Sequence, residues 1–258
     1  MAHDDGELSA LRREWNATAQ YGRIRANWDP LDKRGLKNLF IEMLHREAIG
    51  AVARFDGNQA VLDLGCGTGV FEEYLGGKVR LAVGVDLSMA MLQQAVQARI
   101  PGVSFCLYDG TTLPFASQAF DIIIAKGLTY HLSDALLAAL LRECQRALKP
   151  EGRLITIDNC SSNPRHQDGS IHKLLYRSSD ALVKLFTANG LRVADRYPIR
   201  RGRSMLQYLI RYGFYGEKRI PELARRELET TKARGRFHSS YYVQCLHVCC
   251  PSGYVAGS

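Results

Sequence analysis

The residues most informative for chemistry are three glycines at alternate positions, Gly65, Gly67 and Gly69, directly after the apolar run Val61–Leu64. The apolar run is typical of a buried parallel strand, and the residues after Gly69 have helical spacing. Glycines allow the backbone to approach a ligand closely, and the N-terminus of the following helix offers unpaired N–H groups. A strand, a glycine turn and a helix in this order predict a nucleotide-binding site.

The spacing of the glycines narrows the class of ligand. A dinucleotide fingerprint places its third glycine where this chain has Val70. No Gly-Lys-Ser or Gly-Lys-Thr follows, so the segment is not a phosphate-binding P-loop. An acidic side chain, Asp63, stands just upstream of the glycines. The pattern therefore favours a nucleoside without a pyrophosphate.

The segment Asp63–Gly69 resembles motif I of the class I S-adenosylmethionine-dependent methyltransferases. Four further segments resemble motifs of that family in the expected order. They are the second strand at Val83–Ser88, the adenine-contacting segment at Tyr108–Gly110, the fourth strand at Phe120–Ile124 and the turn into the fifth strand at Leu148–Leu154. Five ordered matches rarely arise by chance. The resemblance implies a methyltransferase that uses S-adenosylmethionine as its cofactor.

The resemblance also implies roles for residues at the predicted strand ends. The carboxylate of Asp86 would accept hydrogen bonds from both ribose hydroxyls, with a helix N-cap as the alternative role. Asp109 and Gly110 would contact the adenine, with a plain Asp-Gly turn as the alternative, and Lys126 would contribute its backbone. The predicted cofactor-binding residues are Asp63, Gly65, Cys66, Gly67, Gly69, Asp86, Leu87, Asp109, Gly110 and Lys126.

His131 and Tyr130 are the predicted catalytic residues. An imidazole ordinarily titrates near about pH 6.5, which suits the removal of a proton from a hydroxyl at neutral pH. His131 is therefore the candidate general base, and the alternative is a histidine that packs or caps the helix starting near Ser133. Tyr130 is predicted to line the acceptor pocket.

Several motifs of other acceptor classes are missing from the sequence. After the predicted fourth strand the chain has Ala125–Tyr130 in place of the Asn/Asp-Pro-Pro-Tyr/Phe of methylation on exocyclic base nitrogens. It also lacks the paired glutamates of protein-arginine methyltransferases. Asp158–Asn159 resembles the metal pair of catechol-type O-methyltransferases, but Lys126 replaces the partner acid. We therefore expect a small-molecule acceptor and no bound metal.

Hydrophobic periodicity predicts an α/β fold whose repeated β-α units form a doubly wound, mostly parallel sheet, seven-stranded by resemblance to the family. Amphipathic helices over 7–20 and 32–54 precede the first strand. We predict an N-terminal helical extension at 1–57 and a methyltransferase domain at 58–258. By resemblance, the last strand, 241–248, is antiparallel and lies between the fifth and sixth strands. The predicted N-cap residues are Asp32, Ser88, Ser133 and Ser179.

The net charge of +8 is concentrated in a basic insertion at 198–239, where eleven Lys or Arg stand against four Glu. Three interpretations stay open: a solvated surface, an anion-binding site, or a nucleic-acid footprint. The last would make the chain an RNA methyltransferase, although little aromatic interleaving supports nucleic acid as a partner. Guanidinium groups suit phosphate and carboxylate, so we favour a small anionic acceptor.

The acceptor class is also suggested by a weaker resemblance. Residues 29–38 and 198–204 resemble methyltransferases of cell-surface glycan pathways. We therefore expect methylation at oxygen of an acidic or phosphorylated acceptor, for example a sugar. The predicted acceptor-binding residues are Tyr21, Arg34, Lys37, Arg200, Arg201 and Arg203.

Other features bear on the protein's class and location. A nicotinamide oxidoreductase is disfavoured by the glycine spacing, and a silent binding module by the apparently intact cofactor motifs. Seven scattered cysteines without metal-site spacing suggest reduced thiols. The N-terminal residues are acidic and polar, unlike a signal peptide, and no apolar stretch is long enough to span a bilayer. These features predict a cytoplasmic protein.

Overall fold

A computed structural model describes residues 2–168, 173–235 and 241–253 of the chain. The strands within these ranges are β1 Ala60–Leu64, β2 Leu81–Asp86, β3 Val103–Leu107, β4 Phe120–Lys126, β5 Leu148–Cys160, β6 Arg165–Asp168, β7 Lys173–Tyr176, β8 Leu191–Arg201 and β9 Val243–Pro251. The α-helices are α1 Ala2–Thr18, α2 Arg23–Asn27, α3 Leu36–Ala53, α4 Glu72–Leu75, α5 Met89–Gln97, α6 Asp134–Ala147, α7 Ser179–Ala188, α8 Met205–Arg211 and α9 Ile220–Arg234. Short 3₁₀ helices lie at Ala19–Tyr21, Thr129–His131 and Glu217–Arg219.

Seven of the described strands form one sheet in the order β3-β2-β1-β4-β5-β9-β8. β1 pairs in parallel with β2 and β4, and β4 pairs in parallel with β5. β9 is antiparallel to both of its neighbours, β5 and β8. This arrangement confirms the predicted doubly wound, mostly parallel sheet, with the last strand inserted between the fifth and sixth core strands.

Helices cover both faces of the sheet. Leu62, Ile123 and Leu154 pack in one cluster with apolar residues of α1, α6 and α7. Their neighbours on the strands, such as Val61 and Ile155, pack in a second cluster with residues of α3, α4 and α9. Successive strand side chains point to opposite faces, so a sheet covered on both sides needs nearly continuous apolar strands. This explains why the strand sequences could be recognised.

The carboxyl ends of β1, β2 and β4 lie side by side because these strands are parallel neighbours. From β1 the strand order runs to β2 and β3 on one side and to β4 and β5 on the other. Ligands of open α/β sheets bind in the crevice at such a switch point. The glycine loop after β1 lies at this crevice.

Three of the four predicted N-cap residues are serines. The Ser88 and Ser133 hydroxyls accept hydrogen bonds from backbone N–H groups in the first turns of α5 and α6, at 3.2 and 3.4 Å. Both N-cap predictions are therefore confirmed. The N-cap of α7 is Ser178 rather than the predicted Ser179. A hydroxyl stands at both positions, so the sequence alone did not separate them.

The predicted N-cap at Asp32 is wrong in position. Helix α3 begins at Leu36, and the residue before it is Gly35, with φ +70°. Asp32 is buried, and its carboxylate accepts a hydrogen bond from the N–H of Asn38 at 3.0 Å. Asp32 therefore lies before α3 and accepts a hydrogen bond from an N–H of the first helical turn that has no partner within the helix.

Two features of the C-terminal half were not predicted. A second sheet, the β6–β7 hairpin, precedes α7. Strand β8 continues past Pro198 to Arg201, with an irregularity in its pairing between Pro198 and Arg200. Because β8 is an edge strand, it tolerates a proline that cannot donate to a neighbour. Arg200 therefore lies within a strand and not beyond one.

The predicted boundary between residues 57 and 58 stays a prediction, since α1 and α3 each pack into a core cluster of the sheet. In the predicted basic insertion, residues 236–240 lie outside the described residues.

None of the helices in the described ranges combines the length and apolar character that a bilayer crossing requires.

Candidate active site

The glycine loop follows β1 and is attached to the end of β2. The N–H groups of Gly65 and Cys66 donate to the carbonyl of Val85 at 2.8 and 3.0 Å. Gly65 and Gly67 have φ values of +70° and +57°, a region that favours glycine. A Cβ added to Gly67 would collide with the side chain of Asn27. The loop therefore needs these glycines for both its conformation and its close contacts.

Asp86 ends β2 beside this loop, and its side chain is buried. Its Oδ2 accepts from the N–H of Gly67 at 2.9 Å, and its Oδ1 accepts from the N–H of Ser88 at 2.8 Å. Burial raises the pKa of Asp86 to about 6, and the backbone donors limit the rise. Each carboxylate oxygen has two lone pairs, so one acceptor position on each remains for a ligand. The side-chain N-cap of α5 is Ser88, which leaves Asp86 available for that role.

A cavity of about 70 Å³ lies against the glycine loop. Tyr108 and Leu128 add apolar surface to it, and Trp15 and Trp28 reach it from the N-terminal segment. Sites for small molecules usually occupy ~300 to 1,000 Å³, so a nucleoside needs more room than this conformation gives. The predicted cofactor residues that line the cavity are Gly65, Cys66, Gly67, Asp86, Leu87 and Lys126.

The side chain of Asn27, at the end of α2, narrows this cavity. Its Oδ1 accepts from the backbone N–H of Thr68 at 3.3 Å. The hydroxyl of Thr68 donates to the carbonyl of Arg23 at 2.7 Å, and the Arg23 Nε donates back to the carbonyl of Thr68 at 3.3 Å. These bonds dock α2 on the glycine loop. The Asn27 side chain therefore forms part of the cavity wall beside the glycine loop.

Two residues predicted to contact adenine lie outside the cavity. Asp109 is exposed, and its Oδ1 accepts from the N–H groups of Thr111 and Thr112 at 2.7 and 3.1 Å. Gly110 lies beneath Leu8 of α1, whose side chain leaves no room for a Cβ there. The structure shows Asp109 in the turn that was its alternative role, and the adenine contact stays a prediction.

The last glycine of the loop and the acid upstream of it also face away from the cavity. Gly69 has φ +75°, and a Cβ there would lie 3.0 Å from Ala95 of α5 and from Phe105 of β3. Its role in this structure is the close packing of the loop on neighbouring elements. Asp63 is fully buried beneath the loop, where it meets α4.

Asp63 and Glu72 of α4 form a buried pair of carboxyl groups. None of their four oxygens meets a hydrogen-bond donor elsewhere in the described part of the chain. Burial raises the pKa of Asp63, and burial together with the charge of Asp63 raises the pKa of Glu72 well above its ordinary value. Gly84 of β2 makes room for this pair, since a Cβ there would lie 2.7 Å from Glu72. We infer that a proton held on Glu72 joins the two groups.

Lys126 supplies a cation to the same buried cluster. Its Nζ lies 3.8 Å from Glu42 Oε2 and 5.4 Å from the centre of the Trp28 ring. Burial opposes its charge, but the neighbouring carboxylates, Glu42 foremost, raise the pKa of Lys126. Arg46 also binds Glu42, at 3.0 Å. The ammonium of Lys126 therefore interacts with these carboxylates. The predicted contact between its backbone and a cofactor stays a prediction.

A larger cavity of about 510 Å³ adjoins the first one, and its size matches a small-molecule site. The two cavities share Trp15, Asn27, Trp28 and His131 in their walls. His131 packs edge-on against Trp15, with ring centres 5.2 Å apart. Tyr130 lines the larger cavity. His131 therefore lies where the cavities meet, and Tyr130 lies beside it in the wall of the larger cavity.

Arg200 is the most unusual charged group in the larger cavity. It is only 2% exposed. Its Nε donates to Gln244 at 2.8 Å, its Nη1 to Gln207 at 2.5 Å, and its Nη2 to the hydroxyl of Tyr242 at 3.0 Å. All three partners are neutral, and none of the ion pairs among the described residues includes it. A buried charge without an opposite charge is costly, so this guanidinium is suited to an anionic ligand.

The cavity wall is basic overall. Lys37 and Arg211 line it, and both bind Asp29, at 2.8 and 3.1 Å. Arg203 lines it as well, with its guanidinium 3.9 Å from the centre of the Tyr241 ring. The carboxylate of Asp29 therefore pairs with both Lys37 and Arg211. Arg200 and Arg203 add further positive charge to the cavity.

The predicted acceptor residues divide into two groups. Tyr21, Arg34 and Arg201 do not line the larger cavity. Arg201 follows Arg200 in β8, and successive residues of a strand point to opposite faces, so the two neighbours face different surroundings. The predicted acceptor residues that do line the cavity are Lys37, Arg200 and Arg203.

The sequence did not predict the aromatic wall of this cavity. Tyr176 of β7 and the pair Tyr241–Tyr242 before β9 line it, with ring centres 4.9 to 6.4 Å apart. The available signal was a pair of tyrosines at the start of the last predicted strand. Gln244 in that strand was a second signal, because a polar residue in a buried strand needs a polar partner.

The 3₁₀ helix Thr129–His131 carries both predicted catalytic residues and is held by hydrogen bonds to Asp158 and Arg177. The hydroxyl of Thr129 donates to the carboxylate of Asp158 in β5, and its carbonyl accepts from Arg177 Nη1 at 3.0 Å. Asp158 Oδ2 also lies 3.4 Å from His247 Nδ1. Asp158 therefore holds this turn in place.

Within the described ranges, no group of three His, Cys, Asp or Glu side chains is arranged to hold a metal ion.

The strand order with an antiparallel final pair, together with the glycine loop and the acid that ends β2, defines the class I methyltransferase fold. The sequence model of the family described as "Methyltransferase domain" matches residues 61–152. This range contains the glycine loop, Asp86 and His131. Residues 61–152 thus match a methyltransferase domain, and the sheet that contains them has the class I methyltransferase fold, as the motifs predicted.

Among related sequences, phosphoethanolamine N-methyltransferase 1 of Arabidopsis thaliana is 35% identical over 108 residues. The match covers 40% of this chain and 22% of the relative, so the chain spans about one fifth of that relative's length. The likeness to a protein of known activity therefore concerns a domain and not the whole relative.

Solved structures show the same fold over longer stretches. Geranyl diphosphate C-methyltransferase of Streptomyces coelicolor A3(2) matches with a TM-score of 0.64 and 18% identity, over 95% of this chain and 97% of that chain. The [4+2]-cyclase SpnF matches with a TM-score of 0.61 and 19% identity, over 81% of each chain. At these identities the likeness shows the fold alone, and one fold carries differently named reactions.

The inferred shared proton makes stability depend on pH. Above its ordinary value near 4.5 the carboxyl of Glu72 loses its proton in the unfolded chain but keeps it in the folded one, because its folded pKa is raised. The free energy of unfolding then falls as pH rises through this range. Glu72→Gln removes the titrating group, so we expect the variant to gain stability relative to wild type between about pH 5 and about pH 8. Urea unfolding at a series of pH values measures this.

The matched control is Glu73→Gln, which changes the exposed neighbour. We expect Glu73→Gln to leave the pH dependence of stability close to that of wild type. If Glu72→Gln also has the wild-type dependence, the buried pair holds no shared proton.

Proposed function

We propose that this chain transfers a methyl group from S-adenosylmethionine to an oxygen of a small acceptor that carries an anionic group. The observation that carries the proposal is the junction of two cavities at His131, with the buried Arg200 in the wall of the larger one. Methyl transfer from a sulfonium is an in-line displacement. It requires the alignment of two reactants and, for a hydroxyl, the removal of a proton.

The residues at the glycine loop fit S-adenosylmethionine. Asp86 keeps two acceptor positions for the ribose hydroxyls, and Tyr108 and Leu128 offer apolar surface for a base. When bound there, the cofactor supplies an activated methyl group. The chain's part is to direct this group toward the larger cavity, past the junction that Trp15 and Trp28 line.

The larger cavity supports an anionic acceptor. The guanidinium of Arg200 would bind its phosphate or carboxylate, and Arg203 would add a second cation nearer the surface. Lys37 and Arg211 contribute less, because they already share Asp29. The name of the plant relative denotes a phosphorylated acceptor, which also supports a phosphate.

His131 would accept the proton of the acceptor hydroxyl. It lines both cavities, so it lies beside any group that reaches from the larger cavity toward the glycine loop. Its 3₁₀ helix is anchored through Asp158 and Arg177, which limits how far the ring can move. A base held at the junction is what transfer to oxygen requires.

The alternative of an RNA methyltransferase would need a continuous basic stripe. In the part of the basic insertion that the structure describes, the positively charged side chains instead lie in two different settings. Arg200 and Arg203 line the cavity, whereas Arg225 and Arg226 form ion pairs with glutamates on or beside α9. This separation supports a small acceptor over nucleic acid.

The cofactor side is tested by isothermal titration calorimetry with S-adenosylhomocysteine. We expect wild type to bind, and Asp86→Ala to bind at least roughly tenfold more weakly because it loses two buried acceptor positions. Asp109→Ala decides a separate question. It should weaken binding if Asp109 contacts adenine, and leave binding unchanged if Asp109 serves the turn alone. Absence of binding by folded wild type would contradict the proposal.

The acceptor side is tested by methyl uptake from labelled S-adenosylmethionine into a panel of phosphorylated and carboxylated metabolites. Once an acceptor is found, Arg200→Gln should raise its KM at least roughly tenfold by removing a charge-assisted hydrogen-bond donor. Arg201→Gln, the adjacent strand residue outside the cavity, is the matched control and should leave KM near the wild-type value. Equal KM values for both variants would remove Arg200 from the acceptor site.

The base is tested with His131→Asn, which keeps a polar side chain but cannot accept a proton at neutral pH. We expect kcat to fall by roughly 10²-fold or more, with the affinity for S-adenosylhomocysteine retained. The rise of kcat with pH that we expect for wild type should also disappear. An unchanged kcat would leave His131 a packing role, and mass analysis of the product shows whether oxygen or another atom was methylated.

A further inference from the structure

Exposed apolar side chains are concentrated around helix α8. Met205 and Phe214 are each 73% exposed, and Tyr212 is 65% exposed. Together with Tyr208 and Leu31, which are also exposed, they form what we call the α8 patch. Contiguous apolar surface of this kind usually marks an interaction site.

The geometry of α8 explains why these side chains point outward. Its Gln207 and Ile210 are buried, and α8 packs against α3 with that side. Met205, Tyr208 and Tyr212 are spaced by three and four residues, which places them together on the opposite side. The chain then turns at Gly213, with φ +83°, and presents Phe214 beside them.

The α8 patch adjoins the larger cavity. Leu31 and Tyr208 belong to both the patch and the cavity wall. Arg211 ties the two parts together, because its Nη2 donates to the carbonyl of Leu31 at 3.0 Å and its Nη1 binds Asp29 at 3.1 Å. A surface that contacts the patch would therefore lie next to the proposed acceptor site.

The charge around the patch is predominantly positive. Arg203 and Arg34 are exposed beside it, and the guanidinium of Arg34 lies against Gly213. Lys218 and Arg219 are exposed within five residues of Phe214. From residue 198 to residue 221 the sequence holds one acidic residue, Glu217. The patch thus combines aromatic and methionine side chains with a basic margin.

From these observations we infer that the α8 patch docks on an anionic lipid surface. Aromatic and large apolar side chains enter the headgroup boundary of a bilayer, while lysine and arginine near the surface are attracted to anionic lipids. The charge complementarity favours this partner over an uncharged one. Docking would set the cavity mouth against the membrane, and the inference stands whether or not the chain transfers methyl groups.

Flotation with lipid vesicles tests the inference. We expect the wild-type chain to float with vesicles of phosphatidylcholine mixed with phosphatidylglycerol, and to float much less with phosphatidylcholine alone. The triple variant Met205→Ser, Tyr212→Ser, Phe214→Ser should lose most of this binding. Its control is Met89→Ser, Val96→Ser, Leu107→Ser, which changes exposed apolar residues elsewhere and should bind like wild type.

The basic margin is tested separately with Lys218→Glu, Arg219→Glu, which should weaken binding to the mixed vesicles at least roughly tenfold. Thermal melting shows that each variant is folded. The inference is overturned if wild type does not float with the mixed vesicles, or if the patch and control variants bind equally. It is also overturned if sedimentation shows a dimer that the patch variant dissociates while no vesicle binding occurs, since the patch then joins two copies of the chain.

Discussion

The site depends on the attachment of the glycine loop to the neighbouring strand. The N–H groups of Gly65 and Cys66 bond to the carbonyl before Asp86, and the Asp86 carboxylate bonds back to Gly67. These bonds form because β1 and β2 are parallel and end at the same edge of the sheet. The acceptor positions of Asp86 then face the crevice at the switch point. The cofactor side of the site is therefore a consequence of strand order.

Below this loop, burial sets the protonation state of the core. Removal from water, and after it the charge of Asp63, raise the pKa of Glu72 well above its ordinary value. The charge of Lys126 acts in the opposite direction, and the neighbouring acids, Glu42 foremost, keep Lys126 charged. The lysine that ends β4 is explained by these buried acids.

The parts of the structure that were predicted from sequence are those fixed by local patterns. The strands, the glycine loop and the caps at Ser88 and Ser133 depend on residue type and spacing over a few positions. The orientation of Arg200 depends instead on the pairing of β8 with β9 beyond a proline, which no local pattern reports. The burial of Glu72 was missed for a similar reason, because Lys126, which shares its buried cluster, lies more than fifty residues away in the chain.

The range of the family match separates the two halves of the site. The family match, residues 61–152, contains the glycine loop and the acid that ends β2. Of the residues lining the larger cavity, the match includes only Tyr130 and His131 among those described, while its cations and most of its aromatic rings come from before and after it. Similarity to other proteins within residues 61–152 therefore gives information on the cofactor site and on the junction of the two cavities. The acceptor is determined by the segments outside that range, so it must be inferred from the charge and shape of this chain's own cavity.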